Sequence, residues 1–274
     1  MGKVYSFGCS HTAGIPDIGS GTPTQHRERV DYWKSKTYPH YVAEEFGLEN
    51  INLAVPGSSH KDVYRKFFTT LPKISTDDIV LLQPTFPHRR EIHLMHYDAP
   101  TPVQATDIII DNPVWVTHLM KRTGIPHKYL PNFREAVYYM LMGDWVLLDS
   151  LVTLYTAMEL LESKKIKYII SGYFQYNQMV HILKEDFGET SQEYKELVRL
   201  QKNYNKDPIN YGSYIDVLGL VDKLNLNKIE VGAWPESWGE DKLQEYLIPN
   251  DGHWNEKGHK YQANRLIKKI RKLY

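Results

Sequence analysis

The sequence predicts an α/β protein, a three-layer α/β/α sandwich built around a parallel central sheet. Three observations lead there. Short apolar runs such as Ile79-Val80-Leu81-Leu82 and Tyr168-Ile169-Ile170 are continuous rather than alternating, as strands covered on both faces are. Stretches of helical period separate them, which favours strand–helix–strand crossovers and so a parallel sheet. The runs also stop abruptly at turn residues, Gly8, Pro56-Gly57 and Gly172 among them, so polar residues collect at the carboxyl ends of the strands. Open α/β sheets place their sites at those ends.

In chain order, Lys3-Val4-Tyr5-Ser6-Phe7 is the first strand. Gly8 then permits a tight turn into Cys9-Ser10-His11-Thr12. Residues 13–36 are broken by Gly14, Pro16, Gly19, Gly21 and Pro23 and read as an irregular loop over that turn. A helix opens at Thr37 or Tyr38, with Pro39 in its first turn and Tyr41, Val42 and Phe46 facing inward, and Gly47 ends it. Ile51 to Val55 is the second strand, followed by Pro56-Gly57-Ser58-Ser59-His60 and a helix carrying Val63, Phe67 and Phe68. Asp77 to Leu82 is the third strand.

Residues 92–132 contain several prolines and no clear period, and read as an insertion or lid. A helical pattern runs from Phe133 to about Lys164, with Gly143 as a possible bend. Lys167 to Ser171 is the fourth strand. Residues 173–245 form a second insertion, with a charged helix over 190–204 and two weaker strand candidates, 215–220 and 229–231. The last helix, 256–273, sets Tyr261, Leu266, Ile267 and Ile270 on one side and basic residues near its C-terminus, as the helix dipole favours. The whole chain, 1–274, reads as a single domain with these two insertions.

Composition narrows the function classes. Lys plus Arg and Asp plus Glu are both 33, so no global charge points to nucleic acid or to an anionic membrane. No apolar run is long enough for a membrane span, the N-terminus lacks a signal-peptide pattern, and a single cysteine allows no internal disulfide; the expectation is a cytoplasmic protein. Twenty tyrosines and six tryptophans would suit a carbohydrate groove as well as a core. His93 and His96 are spaced for a shared helical face, but no carboxylate or cysteine accompanies them at useful spacing, so no metal and no cofactor are expected.

The chemistry gathers at the two ends of the chain. A serine on a strand-to-helix turn has its hydroxyl at the end of the sheet, beside the open backbone N–H groups of the helix start. Ser10 is such a serine, although the same stretch reads equally as an ordinary turn with a helix-capping residue. Near the other terminus, Asp251-Gly252-His253 sets an acid and a histidine two positions apart, where a carboxylate can orient an imidazole toward a serine. Cys9 is a second possible nucleophile, but its position should turn it into the sheet.

This pairing resembles the SGNH (GDSL-like) hydrolase superfamily, whose serine follows the first strand and whose Asp and His precede the last helix. The resemblance covers residues 1–91, 133–172 and 248–274, and it implies a flavodoxin-like sheet and a Ser10–His253–Asp251 triad. It also implies an oxyanion hole from Ser10, Gly57 and the third block. That block is normally Gly-x-Asn-Asp; here Thr85 stands in the asparagine's place and can offer one hydroxyl donor. Arg89 and Arg90 just beyond it are candidates to bind a substrate carboxylate or to pair with Glu91. The Asp-Gly-His-Trp spelling is similar to the Asp-x-His-Trp block of alginate-acetylating relatives. The implied activity is a serine esterase acting on an O-acyl, above all O-acetyl, ester of a carbohydrate or small molecule. The alternatives are an O-acyltransferase with the same triad and a catalytically silent binding domain of the same fold.

Overall fold

The computed structural model describes residues 2–14, 34–56, 58–85, 90–96, 99–105, 144–171, 225–230, 245–248 and 253–274. In chain order these form β1 (Lys3–Phe7), α1 (Ser10–Ala13), α2 (Tyr38–Phe46), β2 (Glu49–Asn52), α3 (His60–Thr70), β3 (Ile79–Leu82), β4 (Arg90–His96), β5 (Ala99–Ala105), α4 (Asp144–Ser163), β6 (Lys167–Ser171), β7 (Ile229–Glu230) and α5 (Glu256–Leu273). The central sheet runs β2-β1-β3-β6-β7, and every neighbouring pair is parallel. With the β4–β5 hairpin set aside, this is the 2-1-3-4-5 order of a flavodoxin-like, doubly wound sheet. From β1 the chain leaves to β2 on one side and resumes with β3 on the other, so the topological switch point lies at the end of β1.

Side-chain alternation along the strands divides the core into two layers. Tyr5, Phe7, Val80, Leu82, Tyr168 and Ile170 face α3 and α4, against Val63, Phe67, Leu154, Met158 and Leu161. Val4, Ile79, Leu81 and Ile169 face α2 and α5, against Tyr38, Val42, Leu266, Ile267 and Ile270. β1 and β3, paired on both edges and covered on both faces, are buried almost throughout, which accounts for their continuous apolar sequences. Each fully buried Leu, Ile or Phe contributes about 1.5–3 kcal/mol from removal of apolar surface from water.

The helix ends follow local chemistry. Thr37 precedes α2 with proline in its first turn, and Gly47 closes it at φ 62, a left-handed backbone that L side chains resist. Ser59 Oγ accepts from Asp62 N (3.0 Å) to cap α3, and Asn255 Oδ1 accepts from Gly258 N (3.1 Å) to cap α5.

Several expectations need correction. β2 begins at Glu49, two residues before the predicted strand, because it is the sheet edge and its outer residues need no apolar signal. Leu53 and Val55 still follow β1 beyond the ladder, through Leu53 N donating to Ser6 O (2.8 Å) and Val55 N to Gly8 O (3.2 Å). Asp78 does not belong to the third strand; it caps the start of the sheet. Tyr261 faces outward, 37% exposed, and rests on Tyr246 at 5.3 Å; His259, Gln262 and Ala263 occupy the buried face with Leu266, Ile267 and Ile270. Part of the 92–132 insertion is an antiparallel hairpin, β4 with β5, in register from Arg90↔Ala105 to His96↔Ala99. His93 and His96 therefore lie in a strand, not on a helical face. The possible bend at Gly143, the 190–204 helix and the 215–220 strand fall outside the described residues. No helix among the described residues is long and apolar enough to cross a membrane.

Asp78 accepts from Lys3 N (2.7 Å), Ser75 N (2.7 Å) and Ser75 Oγ (2.9 Å), joining the start of β1 to the turn before β3. It is 4% exposed, so its loss strands donors at the sheet's amino edge. Asp78→Ala should lower unfolding stability by about 3 kcal/mol, measured by urea denaturation, with the denaturant slope unchanged.

Candidate active site

The site begins where β1 ends. An added Cβ on Gly8 would lie 2.0 Å from Thr12 Oγ1 and 2.7 Å from Thr12 Cβ, so glycine is required there for room. Backbone freedom, which the sequence suggested as its purpose, is not what demands it, since Gly8 is not among the positive-φ glycines. Thr12 fills the vacated space and is fully buried. Its Oγ1 is 3.0 Å from Tyr38 Oη and donates to Gln83 Oε1, and its carbonyl accepts from Asn52 Nδ2 (2.8 Å). One residue of α1 is thereby tied to α2, to the end of β2 and to the residue after β3. Ser10, the first residue of α1, has no intrahelical acceptor for its N–H.

The other half comes from the far end of the chain. Ile248 N donates to His253 O (2.7 Å), Asn255 N donates to Tyr246 O (2.9 Å), and Leu247 pairs with Trp254 in an antiparallel bridge. Asn255 Nδ2 adds bonds to Glu245 O (2.8 Å) and Leu247 O (3.1 Å) while Oδ1 caps α5. His253 is thus held between a segment pinned through an isolated bridge and a capped helix. Trp254 is completely buried, with its ring 5.9 Å from Tyr38 and 5.6 Å from His259.

These two halves meet. His253 Nε2 lies 2.9 Å from Ser10 Oγ, across 243 positions of sequence. The distance is within hydrogen-bonding reach of a base and the hydroxyl it would deprotonate. Ser10 keeps 7% of its surface exposed. Cys9 is 2% exposed, and its carbonyl accepts from Thr12 N (3.1 Å) and Ala13 N (2.9 Å). Thr85, three residues beyond β3, is buried, and its carbonyl accepts from His60 Nδ1 at 3.1 Å. His60 opens α3, so this bond ties the loop after β2 to the loop after β3. Asp251, Gly57 and Arg89 lie outside the described residues, as does the side chain of Arg90.

Sequence reasoning passed over His11, Thr12 and His259. His11 follows the serine directly, and its ring stacks on His253 (centroids 4.8 Å apart, planes 29°) and meets Trp254 edge-on at 5.2 Å. Its place in Gly-Cys-Ser-His-Thr was a signal, but nothing in the local sequence shows which ring it meets. Trp254, one of the six tryptophans, is part of the packing behind His253.

No family model matches the chain, and no curated protein matches it. Among solved structures, it is similar to a member of the lipolytic protein G-D-S-L family from Veillonella parvula (12% identity, 98% of this chain and 97% of that one, TM-score 0.42). It is also similar to a carbohydrate esterase family 2 enzyme plus carbohydrate binding domain from Corynascus thermopiles (11% identity, TM-score 0.44), covering 99% of this chain and 66% of that one. A third is a putative lipolytic protein of the G-D-S-L family from Desulfitobacterium hafniense (10% identity, 97% and 98% coverage, TM-score 0.36). These likenesses are loose, and the chemistry of the site is carried by the geometry of this chain alone.

Behind the pair, burial and then the nearby His253 push His259 down to about 3. Its Nδ1 accepts from Tyr38 N (3.3 Å), which requires the unprotonated nitrogen, so His259 adds no positive charge beside His253. The unfolded chain binds a proton near the ordinary value of 6.5, and the folded chain refuses it down to about 3. Stability is therefore lost as pH falls through that window, and is unaffected by this group above it. Between pH 7 and pH 5 the contribution is about 2 kcal/mol. His259→Gln, which keeps an acceptor for Tyr38 N, should flatten this part of the pH–stability profile, read by urea denaturation at the two pH values.

Proposed function

We propose that this protein is a serine hydrolase that cleaves an O-acyl ester, with Ser10 as nucleophile and His253 as its base. The carrying observation is the 2.9 Å approach of His253 Nε2 to Ser10 Oγ at the switch point of the sheet. In the reaction, Oγ bonds to the acyl carbon while Nε2 takes the hydroxyl proton. The carbonyl π electrons move to oxygen, and their return expels the alcohol, which leaves with the proton from Nε2. Water then attacks the acyl-enzyme with His253 again as base, releasing the acid and restoring Ser10. General-base catalysis of this kind contributes about 10²–10⁴-fold.

Asp251, two residues before His253, is assigned to Nδ1, where a carboxylate holds the tautomer that leaves Nε2 free to accept. The backbone N–H groups of Ser10 and Gly57 are assigned to the developing oxyanion, with Thr85 as the third donor; each such donor is worth roughly 2.7–4 kcal/mol. Arg89 and Arg90, four and five positions after Thr85 in the sequence, are the candidates to meet an anionic group on the substrate. O-acetyl esters of carbohydrates are the first substrate class to test. A transferase would use the same pair with a sugar hydroxyl in place of water, and product analysis with such an acceptor present separates the two.

Hydrolysis of short-chain aryl esters tests the assignment. Ser10→Ala should reduce kcat/KM by at least about 10³-fold, while Cys9→Ser, at a buried position without the histidine contact, should retain most of it. A folded Cys9→Ser protein without activity, beside an active Ser10→Ala, would move the nucleophile to Cys9.

A further inference from the structure

We infer that His11 is a positioning residue that sets the ring plane of His253; this rests on the proposed Ser10–His253 chemistry. Ser10 and His11 are consecutive on α1, and consecutive helical residues project about 100° apart. One therefore meets the edge of the His253 imidazole, at Nε2, and the other covers its face. The two rings are 4.8 Å apart and 29° from parallel.

The stack answers a geometric need. A hydrogen bond at Nε2 fixes where that atom points, and an acceptor at Nδ1 would fix the opposite side of the ring. Both restraints lie near one line through the imidazole, and the ring can still roll about it. Because the Nε2 lone pair is inclined to the line joining the two ring nitrogens, rolling tilts it away from Ser10 Oγ, and loss of alignment between reacting atoms is costly in rate. A flat partner against the ring face blocks the roll. His11 can act as that wall because it is itself backed: it is 9% exposed, and Trp254, fully buried, meets it at 5.2 Å. Trp254 is held in turn by Tyr38 and His259. The wall also suits the chemistry. When His253 takes the proton from Ser10 it becomes cationic, and an aromatic face opposite a cation is attractive.

The requirement is thus for a flat ring at position 11, not for an ionisable one. His11→Ala should lower kcat on an aryl ester by about 10–100-fold with KM changed by less than about threefold, and His11→Phe should recover most of the loss. Melting temperatures establish that each variant is folded. If His11→Ala does not fold, His11→Leu takes its place, since leucine fills the space without a flat face, and the same difference from His11→Phe is expected. A folded His11→Ala (or His11→Leu) with wild-type kcat overturns the inference, as does a His11→Phe no better than it. Ser10→Ala run in parallel separates the two levels. If Ser10→Ala is as active as the wild type, the Ser10 chemistry fails and this inference with it; if it is inactive while His11→Ala is fully active, the positioning role alone fails.

Discussion

Thr12 lies over a glycine that has no Cβ, and much of the molecule is arranged around that contact. The space above Gly8 lets Thr12 descend into the core, where its hydroxyl reaches Tyr38 and Gln83 and its carbonyl takes Asn52 Nδ2. Buried polar atoms are costly unless satisfied, so a threonine at that depth commits three separate segments to supplying partners. The consequence for function is that Ser10, two residues earlier, sits on a turn that cannot drift relative to the sheet. A four-residue helix has little stability of its own; here it is fixed by what Thr12 holds.

The second half of the site is secured by different means. His253 hangs between a segment pinned by an isolated bridge and an Asn255-capped helix, and α5 is locked to the sheet by Leu266, Ile267 and Ile270. Tyr38 links the halves, bonding Thr12 through its hydroxyl and His259 through its backbone N–H, and packing against Trp254. The segments that carry the two residues meeting at 2.9 Å are thus braced against the same tyrosine, through Thr12 on one side and Trp254 and His259 on the other. Preorganisation of this kind matters because a base that must search for its hydroxyl forfeits much of its rate advantage.

The parts of this arrangement that the sequence made legible are those with a one-dimensional signature. β1, β6 and α5 fall on the residues predicted, because strands buried on both faces and a capped amphipathic helix leave continuous or periodic apolar patterns. The edge strand β2 was displaced by two residues, since it opens on an exposed Glu49 and a half-buried, polar Asn50 that carry no apolar signal. The β4–β5 hairpin left no readable alternation, with Pro100 and Pro102 inside β5. Ser10 and His253 were conspicuous by position, one at a strand end and the other in a short Asp-Gly-His string before the last helix. The tether at Thr12 and the stack of His11 were not legible, because their partners, Tyr38, Gln83, Asn52 and His253, are distant in sequence and meet only in the fold.

The central claim is that His253 makes the Ser10 hydroxyl a nucleophile. Reaction with a serine-directed fluorophosphonate, followed by mass mapping of the modified peptide, tests it most directly, because covalent capture needs an activated hydroxyl and no knowledge of the natural ester. The expected result is one adduct, on Ser10, formed by the folded protein and lost when His253 is replaced by alanine. Failure of the folded protein to react, or an adduct on a different residue, would contradict it.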